Sequence, residues 1–247
     1  MNKFLHVLSL IFFCILFGCD NNEKKTLVVG TSADYPPFTF RKNKTITGFD
    51  IDLAQEIAKR LGYKLHIKDM RFSELVPALE KNKIDFCISA ISATSERARV
   101  IDFSTRYYLS EFSLIYRKDS PINSMHALEG KTIAVQRGST MESFLKARLS
   151  MIKNAKIVSF DRNSLMLKDL KKKQVDCILI ELTGAKSFCS VDNKLAYSFI
   201  SAPATSTNYA IAFPKGSKLR AEFDDVLLKL KISNVFDILK EKWVEHA

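Results

Sequence analysis

Arg97 closes the run Ser92-Ala93-Thr94-Ser95-Glu96-Arg97, just past the end of a strand-like segment and in the turn where a helix begins. Its planar guanidinium can meet the two oxygens of a carboxylate with two parallel N–H bonds, and the N–H groups of a helix start favour the same anion. Without further context an arginine in such a turn reads first as half of a surface ion pair. Gly138-Ser139-Thr140 is a glycine turn opening another helix, again with N–H groups able to face an anion. Catalysis has less to work with. The GxSxG elbow, the HExxH helix and the Walker loop are missing from the sequence. His6, His66, His126 and His246 are scattered without ligand spacing and there is no paired CxxC, so neither a metal nor another cofactor is expected. Asp50-Ile51-Asp52 looks like a metal pair, but at a helix start capping is the simpler role.

These turns need a scaffold, and apolar periodicity describes one. Leu27-Val28-Val29-Gly30 reads as a buried strand. Asp52, with Gln55 three residues on, predicts a capped helix with Leu53, Ala54, Ile57, Ala58 and Leu61 on its apolar face and Gly62 at its end. Leu65 and Ile67 alternate in a second strand, and Ser73 opens a helix through Leu75, Val76 and Leu79 that tolerates Pro77 near its start. A third strand follows over 84–89. The same βαβαβ order recurs, with strands predicted over 132–136, 157–160 and 175–180 and helices over 141–149 and 164–172. Lys83-Ile84-Asp85-Phe86-Cys87-Ile88 and Gln174-Val175-Asp176-Cys177-Ile178-Leu179 echo each other. Two such units predict an α/β protein of two lobes with mostly parallel sheets. Residues 26–110 begin lobe one, 111–204 form lobe two, and 205–247 complete lobe one through helices near 218–230 and 235–243. Segments over 112–116 and 201–208 are expected to cross between the lobes as a two-segment hinge, which places a ligand cleft between them.

The N-terminus carries a different signal. Met1-Asn2-Lys3 is followed by nearly unbroken apolar sequence over 4–17, too short for a membrane span and suited to an export signal. Leu16-Phe17-Gly18-Cys19 resembles a bacterial lipobox in which Phe17 is bulkier than usual. A lipoprotein signal over 1–19, lipid on Cys19 and a tether over 20–25 are therefore expected, with a plain signal peptide or an anchor helix as alternatives. Asp20 resembles the inner-membrane retention signal of lipoproteins in double-membraned bacteria, which implies a periplasmic, lipid-anchored location in such a cell. Cys87 and Cys177 lie in apolar runs as small hydrophobes, and with Cys189 they allow at most one disulfide, which nothing specifies. The formal net charge of +11 is spread along the chain, and its densest run, Lys171-Lys172-Lys173, reads as a solvated helix face. No nucleic-acid partner is expected.

Taken in order, several short runs resemble the polar-amino-acid-binding proteins of ABC importers, the solute-binding proteins of family 3. They are Gly30-Thr31-Ser32-Ala33-Asp34-Tyr35-Pro36-Pro37-Phe38, Gly48-Phe49-Asp50-Ile51-Asp52-Leu53-Ala54, Ser92-Ala93-Thr94-Ser95-Glu96-Arg97, Ile101-Asp102-Phe103-Ser104, Leu128-Glu129-Gly130-Lys131 and Gln136-Arg137-Gly138-Ser139-Thr140. The resemblance spans about residues 26–245. It implies the type II periplasmic binding protein fold, a free amino acid as ligand, the membrane permease of an ABC importer as partner, and a monomer. Under it the weighting of Arg97 reverses: Arg97 and Ser92 take the ligand carboxylate from lobe one, and Gly138, Ser139 and Thr140 from lobe two. Glu181 stands where the family commonly has the aspartate that meets the ammonium, one methylene longer, with the Ser89 carbonyl as second acceptor. Its alternative is an ordinary acid at a helix start. Ala90 replaces the usual Ser or Gly. Tyr35 and Phe72 match the two aromatic positions flanking the ligand side chain, with core packing as their alternative, and Phe38 reads as core.

Ligand choice rests on fewer residues. Ser32 occupies a position that is often Asp in binders of cationic amino acids, and Asp34 nearby is either its substitute or a solvent-facing residue. Gln136 falls where glutamine-selective relatives tend to have lysine, which argues against glutamine and acidic ligands. Gln136, Glu181 and the two rings together resemble arginine-type binders. Met141 either pads the pocket or belongs to its helix core. Some relatives on this fold are dehydratases or cell-wall lytic enzymes, and Glu181 is the one attractive acid or base here, though ammonium binding explains its position better. A surface adhesin and a sensor input are the remaining alternatives; with no second apolar span before Ala247, no attached signalling domain is expected.

Overall fold

The computed structural model describes residues 25–200 and 206–245; the expected export signal and the expected lipidation at Cys19 therefore lie outside the described residues. In lobe one, β1 (Thr26–Thr31) is followed by a three-stranded antiparallel unit, β2 (Asp34–Tyr35), β3 (Thr39–Lys42) and β4 (Thr45–Thr47). Helix α1 (Phe49–Arg60) starts earlier than its Asp52-based reading. Gly48 is its N-cap at φ 127°, and a Cβ there would lie 2.2 Å from the Phe38 carbonyl oxygen, so the close approach of two backbones outweighs the capping preference of an acid. Asp52 instead accepts from Lys242 Nζ at 2.7 Å and Trp243 Nε1 at 2.8 Å, which ties the C-terminal segment to α1. Asp50 points into the core, so the two aspartates do not face a common metal position.

Strand β5 (Lys64–Asp69) and helix α2 (Phe72–Glu80) follow, and α2 takes its N-terminal bonds from Arg71 and Glu74 rather than from Ser73. The third strand shrinks to β6 (Phe86–Cys87), and β7 (Ile101–Phe103) leads to the ten-residue β8 (Tyr108–Arg117). Lobe two then repeats the pattern with β9 (Thr132–Gln136), α3 (Thr140–Arg148), β10 (Lys156–Phe160), α4 (Asn163–Lys171) and β11 (Cys177–Glu181). It adds α5 (Leu182–Ser190) and β12 (Leu195–Phe199), neither of which the periodicity showed. The chain returns through β13 (Ser206–Tyr209) and β14 (Ala212–Pro214), and α6 (Leu219–Ile232) and α7 (Val235–Lys240) pack on lobe one.

The sheet of lobe one has the order β5-β1-β6-β14-β7, with β1 parallel to β5 and β6 and with β14 antiparallel. The sheet of lobe two has the order β10-β9-β11-β8-β12. The lobes are joined where β13 pairs with the first half of β8, Ser206 opposite Glu111 through Tyr209 opposite Tyr108. Two antiparallel crossings laid side by side make the two-segment hinge, although 201–205 lie outside the described residues. Phe38, Phe49, Phe86, Phe213 and Phe223 fill lobe one with no exposed surface. Cys87 and Cys177 are buried free thiols, and Cys189 is half-buried and also free.

The sequence echo has a physical cause. In lobe one the Asp85 carboxylate accepts Val28 N–H at 2.7 Å, while Asp85 N–H donates to the Val28 carbonyl at 2.8 Å. In lobe two Asp176 does the same for Thr132, at 2.7 Å and 2.8 Å. Each aspartate, just before the third strand of its lobe, staples that strand's entry to the first strand. Asp85→Ala should leave the Val28 N–H without its acceptor and lower the unfolding free energy by about 1–3 kcal/mol. Urea denaturation followed by circular dichroism measures this, and Asp176→Ala should behave alike.

Candidate functional site

The carboxyl ends of β1, β6, β9 and β11 point at the gap between the lobes, the place where open α/β sheets receive ligands. A narrow cavity lies there. Ten of the eleven predicted site residues line it: Ser32, Tyr35, Phe72, Ser89, Ala90, Ser92, Gln136, Ser139, Thr140 and Glu181. Arg97 lines the adjoining groove, which it shares with Phe72, Ser92, Ser139 and Thr140. Met141, Asn163, Met166, Leu179 and Ile180 complete the cavity wall.

Glu181 ends β11 and stands at the start of α5, 5% exposed. Its Oε2 accepts the Tyr35 hydroxyl at 3.0 Å across the gap. Burial pushes the carboxyl up to about 7, against the pull of the Tyr35 bond and the Arg97 charge. Gly184 makes this possible: a Cβ there would stand 2.3 Å from Tyr35 Cε2. The Gln136 amide nitrogen, in the cavity wall, is buried without a hydrogen-bond partner and is a donor available to a ligand; the Tyr209 hydroxyl is likewise buried and unpartnered but lies outside the cavity wall.

The carboxylate end departs in detail from expectation. Arg97 Nη1 donates to the Ser92 carbonyl and Nη2 to the Gly138 carbonyl, both at 2.8 Å, and the guanidinium stands 5.6 Å from the Phe72 ring centre. Two of its five N–H groups are thus engaged by backbone, one of them across the lobes, and three remain. Phe72 therefore carries Arg97 as well as walling the cavity. In the glycine turn, Gly138 N–H is taken by Glu142 Oε2 at 2.6 Å and Ser139 N–H by the Gln136 carbonyl at 3.2 Å. Neither is free for a ligand, whereas Thr140 and Met141, in the first turn of α3, have N–H groups with no intrahelical acceptor. Ser139 caps α3 by accepting Glu142 N–H at 3.2 Å.

Ser32 and Ser89 are buried and bonded to each other, Ser32 N–H donating to Ser89 Oγ at 3.0 Å. Ala90 has φ 47°, a left-handed conformation that Asp50 supports by accepting its N–H at 2.7 Å. Asp50 also accepts the Tyr107 hydroxyl at 2.8 Å, and burial raises its carboxyl to about 7. Asp34 is neither solvent-facing nor part of the cavity wall. It accepts Asn163 N–H at 2.6 Å from lobe two. Asn163 was not among the expected site residues. It begins α4 as Phe72 begins α2, so the internal repeat was the available signal.

A two-lobed α/β architecture with an interlobe cleft of this kind is that of the type II periplasmic binding proteins. The description "Bacterial extracellular solute-binding proteins, family 3" matches residues 27–246, and the chain belongs to that family. Among its relatives, the arginine-binding extracellular protein ArtP of Bacillus subtilis (strain 168) is 36% identical over 98% of each chain. A probable histidine-binding protein of Campylobacter jejuni is 33% identical over 98% of this chain and 99% of its own. The solved structure of the substrate-binding protein AbpA of Streptococcus pneumoniae bound to L-arginine is 34% identical, covers 88% of this chain and 93% of its own, and superposes with a TM-score of 0.82. The family is one of binding proteins rather than enzymes.

Burial of Glu181 has a stability consequence. Its folded pKa, about 7, lies above the usual value of 4.5, so the protonated form is favoured by folding and the cost of ionisation grows as pH rises from 4.5 through 7. Glu181→Gln should therefore raise the stability of the ligand-free protein at pH 8 by up to about 3 kcal/mol, and by little at pH 4.5. Thermal unfolding of both proteins at the two pH values measures the difference.

Proposed function

We propose that this protein captures a polar amino acid, arginine or another cationic amino acid foremost, and delivers it to the membrane permease of an ABC importer. The observation that carries this is the buried Glu181 carboxyl in the cavity, with Arg97 of lobe one in the adjoining groove and the first turn of α3 shared between the two. One end suits an ammonium and the other a carboxylate, and an α-amino acid presents both. Thr140 and Met141 N–H groups and the remaining Arg97 donors receive the carboxylate; Glu181 and the Ser89 carbonyl receive the ammonium. Tyr35, Phe72, Met141 and Met166 surround the side chain, with Gln136 and Ser32 as its polar neighbours. The arginine preference is supported by the likeness to the two arginine binders.

In this reading residues 1–19 are a lipoprotein signal, lipid on Cys19 holds the protein at the inner membrane of a double-membraned cell, and 20–25 are the tether. Lobe one comprises 26–110 and 205–247 and lobe two 111–204, and the protein acts as a monomer. Ligand bridges both lobes only when they are closed, so binding drives closure about the hinge.

The test is calorimetry of the refolded, ligand-stripped protein with each of the twenty amino acids. Arginine should bind most tightly, and complete indifference to all twenty would defeat the proposal. Binding should release protons near pH 7, because the ammonium draws Glu181 into its charged form; titrations in buffers of different ionisation enthalpy read that number directly. Arg97→Lys should weaken arginine binding by roughly 2–5 kcal/mol, since a point charge cannot both hold the two carbonyls and face a carboxylate.

A further inference from the structure

Helix α4 belongs to lobe two, and Leu165 N–H donates to the Arg162 carbonyl there at 3.2 Å, yet its first N–H group, that of Asn163, finds its acceptor elsewhere. Its N-cap residue is Arg162, in extended conformation at φ −138° and ψ 141°, with no side-chain cap bond. The acceptor comes from lobe one. Asp34 Oδ2 takes Asn163 N–H at 2.6 Å, and Asp34 Oδ1 takes the Asn163 side-chain Nδ2 at 3.4 Å. Ser32 Oγ donates to Asp34 Oδ1 at 3.2 Å and holds the carboxylate toward the helix. Beside it, Arg162 Nη1 donates to Asp69 Oδ1 at 2.8 Å, and Asp69 is itself held by Ala33 N–H at 3.0 Å. Arg41 at 3.0 Å completes the surroundings of Asp69.

We propose that Asp34 is a trans-lobe N-cap for α4, a positioning residue that stabilises the closed state and so sets affinity without touching the ligand. The inference rests on the reading of the chain as a two-lobed amino-acid binder that closes on its ligand. Asp34 and Asn163 are 129 residues apart, and the hinge strands are the covalent link between their lobes. Opening the hinge separates carboxylate from helix and leaves the first N–H groups of α4 to water; closing restores the cap. A carboxylate at a helix N-terminus also meets the positive end of the helix dipole, so the contact gains from charge as well as hydrogen bonding. Asp34 is outside the cavity wall and reaches the ligand only through Ser32 and Asn163, so its contribution enters chiefly through the open–closed equilibrium.

The experiment compares Asp34→Ala and Asp34→Asn with wild type in the full chain, solubilised in detergent, by calorimetry with L-arginine, L-lysine, L-histidine and L-glutamine. Asp34→Ala should weaken every ligand that the wild type binds by one common factor, roughly two- to thirtyfold from the usual worth of a cap. Asp34→Asn should recover most of the loss, since asparagine caps a helix about as well as aspartate. Hydrogen exchange at the Asn163 and Ser164 amides, with ligand at saturation, should be faster in Asp34→Ala and near wild type in Asp34→Asn. Unchanged affinities in Asp34→Ala, altered ratios between ligands, or an Asp34→Asn as weak as Asp34→Ala would each overturn the cap. If the wild type binds none of the four, it is the ligand reading that fails, and the cap with it.

Discussion

A carboxylate buried between two lobes is the constraint around which the cleft is built. Glu181 is almost wholly withdrawn from bulk solvent, and burial of a charge without partners is among the most costly arrangements a fold can hold. Tyr35 comes across the gap to meet it, which requires glycine at 184 because any Cβ there would collide with the ring. Tyr209, whose hydroxyl stands unpartnered, arrives on β13, the second hinge strand, and Tyr108 on β8 bonds Thr183 in α5 at 3.0 Å. The hinge and the site are thus made of the same strands. Lobe one has a counterpart in Asp50, whose buried carboxyl is satisfied by Tyr107 and by Ala90 N–H and which thereby holds the Ser89–Ala90 turn in its left-handed form against the cavity.

Much of this was legible in the amino-acid sequence because repetition leaves a periodic trace. The paired βαβαβ order and the buried roles of Cys87 and Cys177 follow from it, whereas the cavity-lining positions at Ser32, Ser89, Gln136 and Glu181 were legible through the ordered runs that resemble family 3. The departures have definite physical causes. Asp52 has the type of a helix cap, yet Gly48 occupies that place because two backbones meet there, a tertiary condition invisible to local pattern. The donors of the Gly138 turn looked free, but Glu142 four residues on reaches back and takes one of them. Strands β2 to β4 are two to four residues long, too short to show alternation. Asn163 was discoverable only by carrying the equivalence of the two halves through to their second helices.

The distribution of charge around the cleft bears on what kind of selectivity it can have. Asp34 is committed to α4, and Asp69 to Arg162 and Arg41, so the aspartates near Ser32 are already compensated within the protein. Ser32 itself is neutral. A cationic side chain extending in that direction therefore meets hydroxyl and amide acceptors, two methionines and the face of Tyr35, with no unpaired carboxylate to oppose it. Neutral acceptors and ring faces favour a delocalised guanidinium over a strongly hydrated ammonium, because the guanidinium costs less to desolvate and can stack. They also exclude a neutral amide far less severely than a fixed carboxylate pocket would exclude an acid. If the ligand is arginine, the preference over lysine follows from desolvation and shape, and the margin over glutamine is set by how many acceptors the longer side chain can reach.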